Sequence, residues 1–170
     1  MMQENIEQGI GVEQGIGAAV MEGKDMSGLA GKYLTFKLAG EEYGLEILKV
    51  KEIIGLMPIT DVPRMPSYVR GVINLRGKVI PVVDLRTKFG MMTTEDTDET
   101  CIIVVDVAEN DQSTQTGILV DTVSEVLDIV GEQIEESPSF GTAIDTDFIM
   151  GMGKIGQDVK ILLDVVKVLS

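Results

Sequence analysis

The chain has 170 residues and a formal net charge of −14, with 14 Lys and Arg against 28 Asp and Glu. Polyanion binding needs clustered cations that release counterions from phosphates, so this balance weighs against DNA, RNA and anionic membrane surfaces as partners. Histidine and tryptophan are absent and Cys101 is the only cysteine, which removes the commonest general base, the usual zinc ligand, any internal disulfide and a cysteine-built metal site.

No apolar run approaches the ~20 residues of a membrane-spanning helix. The first 30 residues hold five acids (Glu4, Glu7, Glu13, Glu22, Asp25) and one base, Lys24, which does not fit a signal peptide, so a cytoplasmic protein is expected. The length suits one ordinary domain, or two small barrels of ~60 residues that share an interface.

Residues 1 to about 31 contain an imperfect duplication, EQGIGV from Glu7 and EQGIGA from Glu13. Glycine recurs too often for a helix and apolar residues are too sparse for a buried strand, so a flexible, disordered leader is expected. From Lys32 the texture changes. Tyr33 to Leu38 has strand composition, Ala39 to Glu42 makes a turn, and Tyr43-Gly44-Leu45 starts the return. Glu46 to Lys49 has room for one helical turn. Val50 to Ile54 then alternates, which predicts Val50, Glu52 and Ile54 on one strand face.

Pro58, Pro63 and Pro66 imply an extended connection between Leu56 and Val69. The next stretch, VRGVINLRGKVIPVVDLR from Val69 to Arg86, sets two β-branched runs around Arg76-Gly77-Lys78 and predicts a hairpin with a short bulged loop. Pro81 has no N–H and so predicts an edge position or a bulge. Asp84 ends the run and is placed to cap a turn over Leu85 to Phe89. Residues 90 to 100 are acidic and turn-rich, without the spacing of a calcium loop, and read as a solvated linker.

The second half repeats the first. Gly117 to Leu127 can be laid on Gly44 to Ile54, with a valine six residues after each glycine (Val50, Val123) and a glutamate eight after it (Glu52, Glu125). Gly71 to Asp84 and Gly151 to Asp164 are equally long, with polar material around Pro138 before the later copy. Two matches in the same order imply homologous β-subdomains in tandem. Gly151-Met152-Gly153-Lys154-Ile155-Gly156 has dinucleotide-fingerprint spacing, but a strand pattern follows it where the fingerprint requires a helix, so a glycine-rich hairpin loop is expected.

The catalytic inventory is thin. No serine has a histidine to activate it, and neither G-x-S-x-G nor a Walker loop occurs. Cys101, in TCIIVVD, reads as a small core hydrophobe. Glu52 is the residue that needs a reason, because a carboxylate in an apolar row must be paired or lie where a partner binds. Arg76, with its fixed fork of donors, is a candidate for the pair.

The central run Val69–Arg86, with EEYGLEILKVKEII upstream and GILVDTVSEVL downstream, resembles the CheW family of chemotaxis adaptors over roughly residues 32 to 168. The resemblance implies a mainly all-β fold of two SH3-like five-stranded β-barrel subdomains with short helical turns, about 32–90 and about 100–168. It implies a non-catalytic scaffold, with no cofactor and no metal, that couples the histidine kinase CheA through its regulatory domain to the cytoplasmic tips of methyl-accepting chemoreceptors. Those arrays would lie on the inner face of the membrane, without insertion of this chain into it. Carried over by position, Glu52 and Arg76 match a salt-bridged pair near the receptor-binding surface, and Ile47, Val50, Val123 and Val126 match positions lining the receptor groove between the barrels. Arg70 and Gly71 match a segment associated with kinase contact. The glycine-rich leader has no counterpart in that resemblance. Alternatives left open are a regulatory domain derived from a CheA-type kinase, the adaptor half of an adaptor–receiver fusion and, from another class, an oligonucleotide-binding β-barrel.

Overall fold

The computed structural model describes residues 27–109, 111–136 and 146–170. Residues 1–26 of the expected leader and the polar turn around Pro138 therefore lie outside the described residues. Residues Ser27–Leu29 form a 3-10 turn, which Tyr33 fastens by donating its hydroxyl to the Leu29 carbonyl at 2.5 Å.

The chain runs through β1 (Gly31–Leu38), β2 (Glu41–Glu46), a 3-10 turn at Ile47–Lys49, β3 (Val50–Gly55), β4 (Val69–Leu75), β5 (Lys78–Asp84) and the short helix α1 (Leu85–Lys88). After the acidic connection come β6 (Cys101–Glu109), β7 (Gln112–Val120), β8 (Thr122–Ile129), β9 (Ile134–Glu135), β10 (Ile149–Ile155), β11 (Asp158–Leu163) and α2 (Val165–Leu169). The fold is mainly β, with strand order β8-β1-β2-β11-β10-β9 in one sheet and β3-β6-β7-β5-β4 in the other.

These orders show how the repeat is used. Matching β1 with β6, β2 with β7, β3 with β8, β4 with β10 and β5 with β11 turns one strand order into the other. The leading hairpin of each half pairs into the sheet completed by the other half: β2 runs parallel to β11, and β7 parallel to β5. The sheets are thus composed across the break at about residues 90 to 100, and the contiguous segments 32–90 and 100–168 are each shared between both sheets. A segment at Thr60, bridged to Val72, takes the place that β9 holds beside β10.

Three apolar clusters follow. Ile73, Ile80, Val82, Ile102, Val104 and Leu119 fill the interior of the five-stranded sheet, and Tyr33, Ile129, Ile134 and Leu162 that of the six-stranded one. The largest cluster lies between them and draws on both, with Leu34, Phe36 and Tyr43 from one sheet and Ile103, Val105 and Ile118 from the other. Alternation along each strand sends one set of side chains into a barrel interior and the other into this shared core. Each fully buried Leu or Ile contributes about 2 kcal/mol relative to exposure, so the shared core holds the two sheets as one body. Cys101 packs at its margin, in keeping with its reading as a core hydrophobe.

Local chemistry sets the junctions. Asp84 accepts from the N–H of Arg86 and Thr87 and caps α1, and Asp164 does the same for α2 through Val166 and Lys167. The hairpin turn after β4 has two residues, Arg76 at φ 51° and Gly77 at φ 88°, with Leu75 opposite Lys78. Positive φ at both positions is the primed type of turn that suits strand twist, so this loop carries no bulge; the irregularity lies at the far end, between Val69 and Gly71. Pro81 sits on an internal strand, yet the pairing of β5 to β7 begins only at Val82, so its missing N–H leaves that ladder intact. Gly151 and Gly153 belong to β10, and the turn follows at Gly156, so the glycines expected in a loop instead permit close strand packing. A Cβ at Gly151 would stand 2.9 Å from Ile134 Cγ2.

Candidate functional site

Strands β3 and β8, equivalent in the repeat, each stand at one end of a sheet, opposite β4 and β9, and carry five of the residues singled out from the sequence, counting the Ile47 turn that enters β3. Each is bulged at the same place. Val50 pairs with Val105 and Glu52 with Val104, whereas Ile53 pairs with Ile103, so Lys51 and Glu52 together face one residue. In β8, Val123 pairs with Phe36 and Val126 with Leu34, so Ser124 and Glu125 together face Thr35.

The bulge changes the expected facing of β3. Val50 packs on the shared core, as its partner Val105 does, while Ile54 packs into the five-stranded barrel with Ile102. The row Val50-Glu52-Ile54 is therefore broken, because one extra residue reverses the alternation. By register Ile53 lies on the face of Ile103 and Val126 on that of Leu34, the same side as Val50 and Val123, but of these four only Val50 and Val123 pack against the shared core. Ile47, Val50 and Val123 are half-buried against that core, and Val126 is 49% exposed.

Two exposed apolar residues not singled out from the sequence adjoin these in the chain. Ile53 is 43% exposed and is the repeat equivalent of Val126; alignment of the halves would have found it. Leu48, in the turn that enters β3, is 94% exposed, and no periodicity signals it.

Glu52 and Arg76 meet as expected: Arg76 Nη2 donates to Glu52 Oε1. The left-handed turn lifts Arg76 off the end of the β4–β5 hairpin toward β3, so the pair ties an outer strand to that hairpin tip. Glu52 is the more enclosed partner, with its side chain 28% exposed against 69% for Arg76.

Arg70 and Gly71 lie at the opposite end of β4, about 20 Å along the strand from Arg76 at ~3.3 Å per residue. Arg70 Nη2 bonds Asp96 at 2.8 Å, and Nη1 lies 3.8 Å from Asp84. The acidic connection is thus anchored at Asp96 rather than solvated throughout; Met91 also packs on the shared core and Thr100 is buried. Gly71 has φ +148°, and a Cβ there would stand 2.2 Å from the Thr60 carbonyl oxygen. The two groups of site residues therefore form separate surfaces.

A third polar feature joins the halves. Arg86 on α1 grips Asp121, between β7 and β8, through Nε at 2.8 Å and Nη2 at 2.5 Å, and donates Nη1 to the Met92 carbonyl. Asp121 also accepts the Ala39 N–H at 2.9 Å. Burial pushes the Asp121 carboxyl up, but the hydrogen bonds from Arg86 and Ala39 and the guanidinium charge outweigh it and hold the carboxyl below its usual range.

Among the described residues no group of three or more His, Cys, Asp or Glu is placed to hold a metal ion. No helix among them is long and apolar enough to cross a membrane. What remains are the partly exposed apolar residues of β3 and β8 beside the shared core, the Glu52–Arg76 ion pair, and the residues around Arg70 and Gly71.

Residues 32–170 match the family model described as the CheW-like domain. The chain belongs to the CheW family. The chemotaxis protein CheW of Klebsiella aerogenes is 39% identical over 139 residues, 82% of this chain and 81% of that protein. The CheW of Bacillus subtilis is 37% identical over 116 residues, 68% of this chain and 71% of that one. Among solved structures, the scaffolding protein TtCheW of Thermoanaerobacter tengcongensis superposes with a TM-score of 0.74 at 35% identity, covering 83% of this chain and 88% of that chain. The double-sheet architecture is therefore a CheW architecture, and both halves of the repeat lie within the matched residues.

Proposed function

We propose that this CheW-family chain is a non-catalytic adaptor in the cytoplasm that couples the histidine kinase CheA to the cytoplasmic tips of methyl-accepting chemoreceptors. Ile47, Val50, Val123 and Val126, joined by Ile53 and Leu48, take the receptor, with the Glu52–Arg76 pair on the rim. Arg70 and Gly71 contact the regulatory domain of the kinase. The observation that carries this reading is the ion pair beside apolar side chains left open on two equivalent outer strands. An amphipathic helix laid into such a groove buries its apolar face and meets charge at the edge. Separate surfaces on one body suit a protein that holds two partners at once.

Control of the kinase through such an adaptor requires that it bind one signalling state better than another. The test is reconstitution of the purified chain with receptor-containing membranes and a chemotaxis histidine kinase. The reading predicts that the chain sediments with both and that receptor stimuli change kinase activity only when it is present. Sedimentation with neither partner would refute it.

A further inference from the structure

Between α1 and β6 the chain crosses the body as a strap with two fixed ends. At one end Met91 packs on the shared core and donates its N–H to the Arg86 carbonyl at 2.8 Å. At the other, Thr97 to Thr100 form a turn closed on itself, with the Thr97 N–H on Thr100 Oγ1 at 2.8 Å and the Thr100 N–H on the Thr97 carbonyl at 3.2 Å. Between them the backbone of Thr93, Thr94 and Glu95 makes no hydrogen bond among the described residues. Two guanidinium groups hold this stretch: Arg86 donates to the Met92 carbonyl at 3.0 Å, and Arg70 to the Asp96 carboxylate at 2.8 Å.

Little else favours the closed position. A polar pocket of about 20 Å³ lies beneath, with Thr94, Glu95 and Asp96 on the strap side and Asp84, Arg86 and Asp121 on the body side. Glu95 and Asp96 thus stand over two further carboxylates, a like-charge arrangement that the arginines offset. The corresponding entry into β1 is built differently. Leu29 and Met150, the residue equivalent to Arg70, pack on the same barrel cluster, and Leu29 Cδ1 lies 3.6 Å from where a Cβ would stand on Gly151. One crossing is apolar and packed, the other ionic and open underneath, and segments with few buried apolar contacts are those that open locally.

Resting on the adaptor reading above, in which Arg70 meets the kinase, we propose that residues 92–96 are an autoinhibitory strap: Asp96 occupies the Arg70 guanidinium, and a carboxylate of the kinase's regulatory domain takes its place when the strap lifts. Asp96 shows which chemistry this guanidinium accepts, and the fixed fork of donors lets one carboxylate replace another. Arg70 also has Asp84 on the body at 3.8 Å, which keeps it in position when the strap is away. Binding then carries the cost of opening. A strap closed about nine-tenths of the time weakens the apparent affinity about tenfold.

The experiment measures, by calorimetry, binding of the regulatory domain of a chemotaxis histidine kinase to wild type, Asp96→Ala, Asp98→Ala and Arg70→Gln, and follows cleavage of the strap after Glu95 by a glutamate-specific protease. Thermal melts confirm the fold of each variant. Asp96→Ala is expected to bind about tenfold tighter than wild type and to be cleaved about tenfold faster. Asp98→Ala, which removes an equal charge outside the ion pair, is expected to change neither. Asp96→Ala that binds no tighter or is cleaved no faster would overturn this proposal alone, as would an equal gain from Asp98→Ala, which would trace the effect to net charge. Arg70→Gln that binds as well as wild type would remove Arg70 from the kinase contact and the strap's role with it. A wild type that binds no kinase domain would overturn the adaptor reading itself.

Discussion

Lys160 on β11 reaches Glu42 on β2 with Nζ 2.7 Å from Oε2, its side chain only 6% exposed. The equivalent positions in the other sheet are Ile80 and Gln115, so one of the two seams that join an exchanged hairpin to its parallel neighbour holds an ion pair and the other does not. Such a pair contributes little net stability, because both charges were solvated before folding, but it opposes the wrong pairing. Lys160 beside Gln115 would have no carboxylate.

Replacing Lys160 by Met is therefore expected to destabilise the fold by about 1–3 kcal/mol, since Glu42 is left without its cation in a largely enclosed seam. Lys160→Met with Glu42→Gln, which imitates the other seam, should recover most of that loss. Urea unfolding of the three proteins checks this; a double variant that is worse than the single would show that the pair is not coupled.

Asp121 gives the stability a pH dependence of known sign. Its carboxyl titrates below its ordinary value of 3.8 in the folded protein, so its contribution is present above that value and is lost as pH falls through the folded one. Wild type should exceed Asp121→Asn by about 1–3 kcal/mol near neutral pH, and the difference should shrink below about pH 4. Denaturant curves across that range decide it. A difference that stays constant into strong acid would place the loss in packing rather than charge.

Gly71→Ala should be among the most damaging small substitutions. The added methyl meets the Thr60 carbonyl at 2.2 Å, and φ +148° disfavours any side chain. The Thr60–Val72 bridge, with N···O distances of 2.8 and 2.9 Å, must open to admit it. A loss of about 2–4 kcal/mol is expected in thermal or urea unfolding. Kinase binding lost without any loss of stability would instead assign Gly71 to direct contact.

Much of this was legible in the sequence because it is local. The hairpin after Val69, the cap at Asp84 and the repeat itself depend on neighbours in the chain and on matching composition. The exchange of hairpins between halves was not, since Gly44 and Gly117 carry equal signals for pairing with either β5 or β11. Nor were the bulges: nothing in VKEII marks Lys51 as the extra residue, and without it Val50 and Ile54 share a face. The partner of Glu52 could be named from chemistry, whereas Thr35 behind Glu125 depends on a contact across 90 positions. Asp96 looked like one acid among several until the fold brought Arg70 to it.

The central claim is that the Glu52–Arg76 pair belongs to the surface that takes the receptor. It is tested most directly by kinase activation in receptor-containing membranes with wild type, Glu52→Lys, Arg76→Glu and the charge-swapped double variant. Both ends of the pair are partly exposed, so the folded core should survive each change. The account predicts that either single substitution abolishes activation and that the swap restores a large part of it. Full activation by both single variants would contradict it.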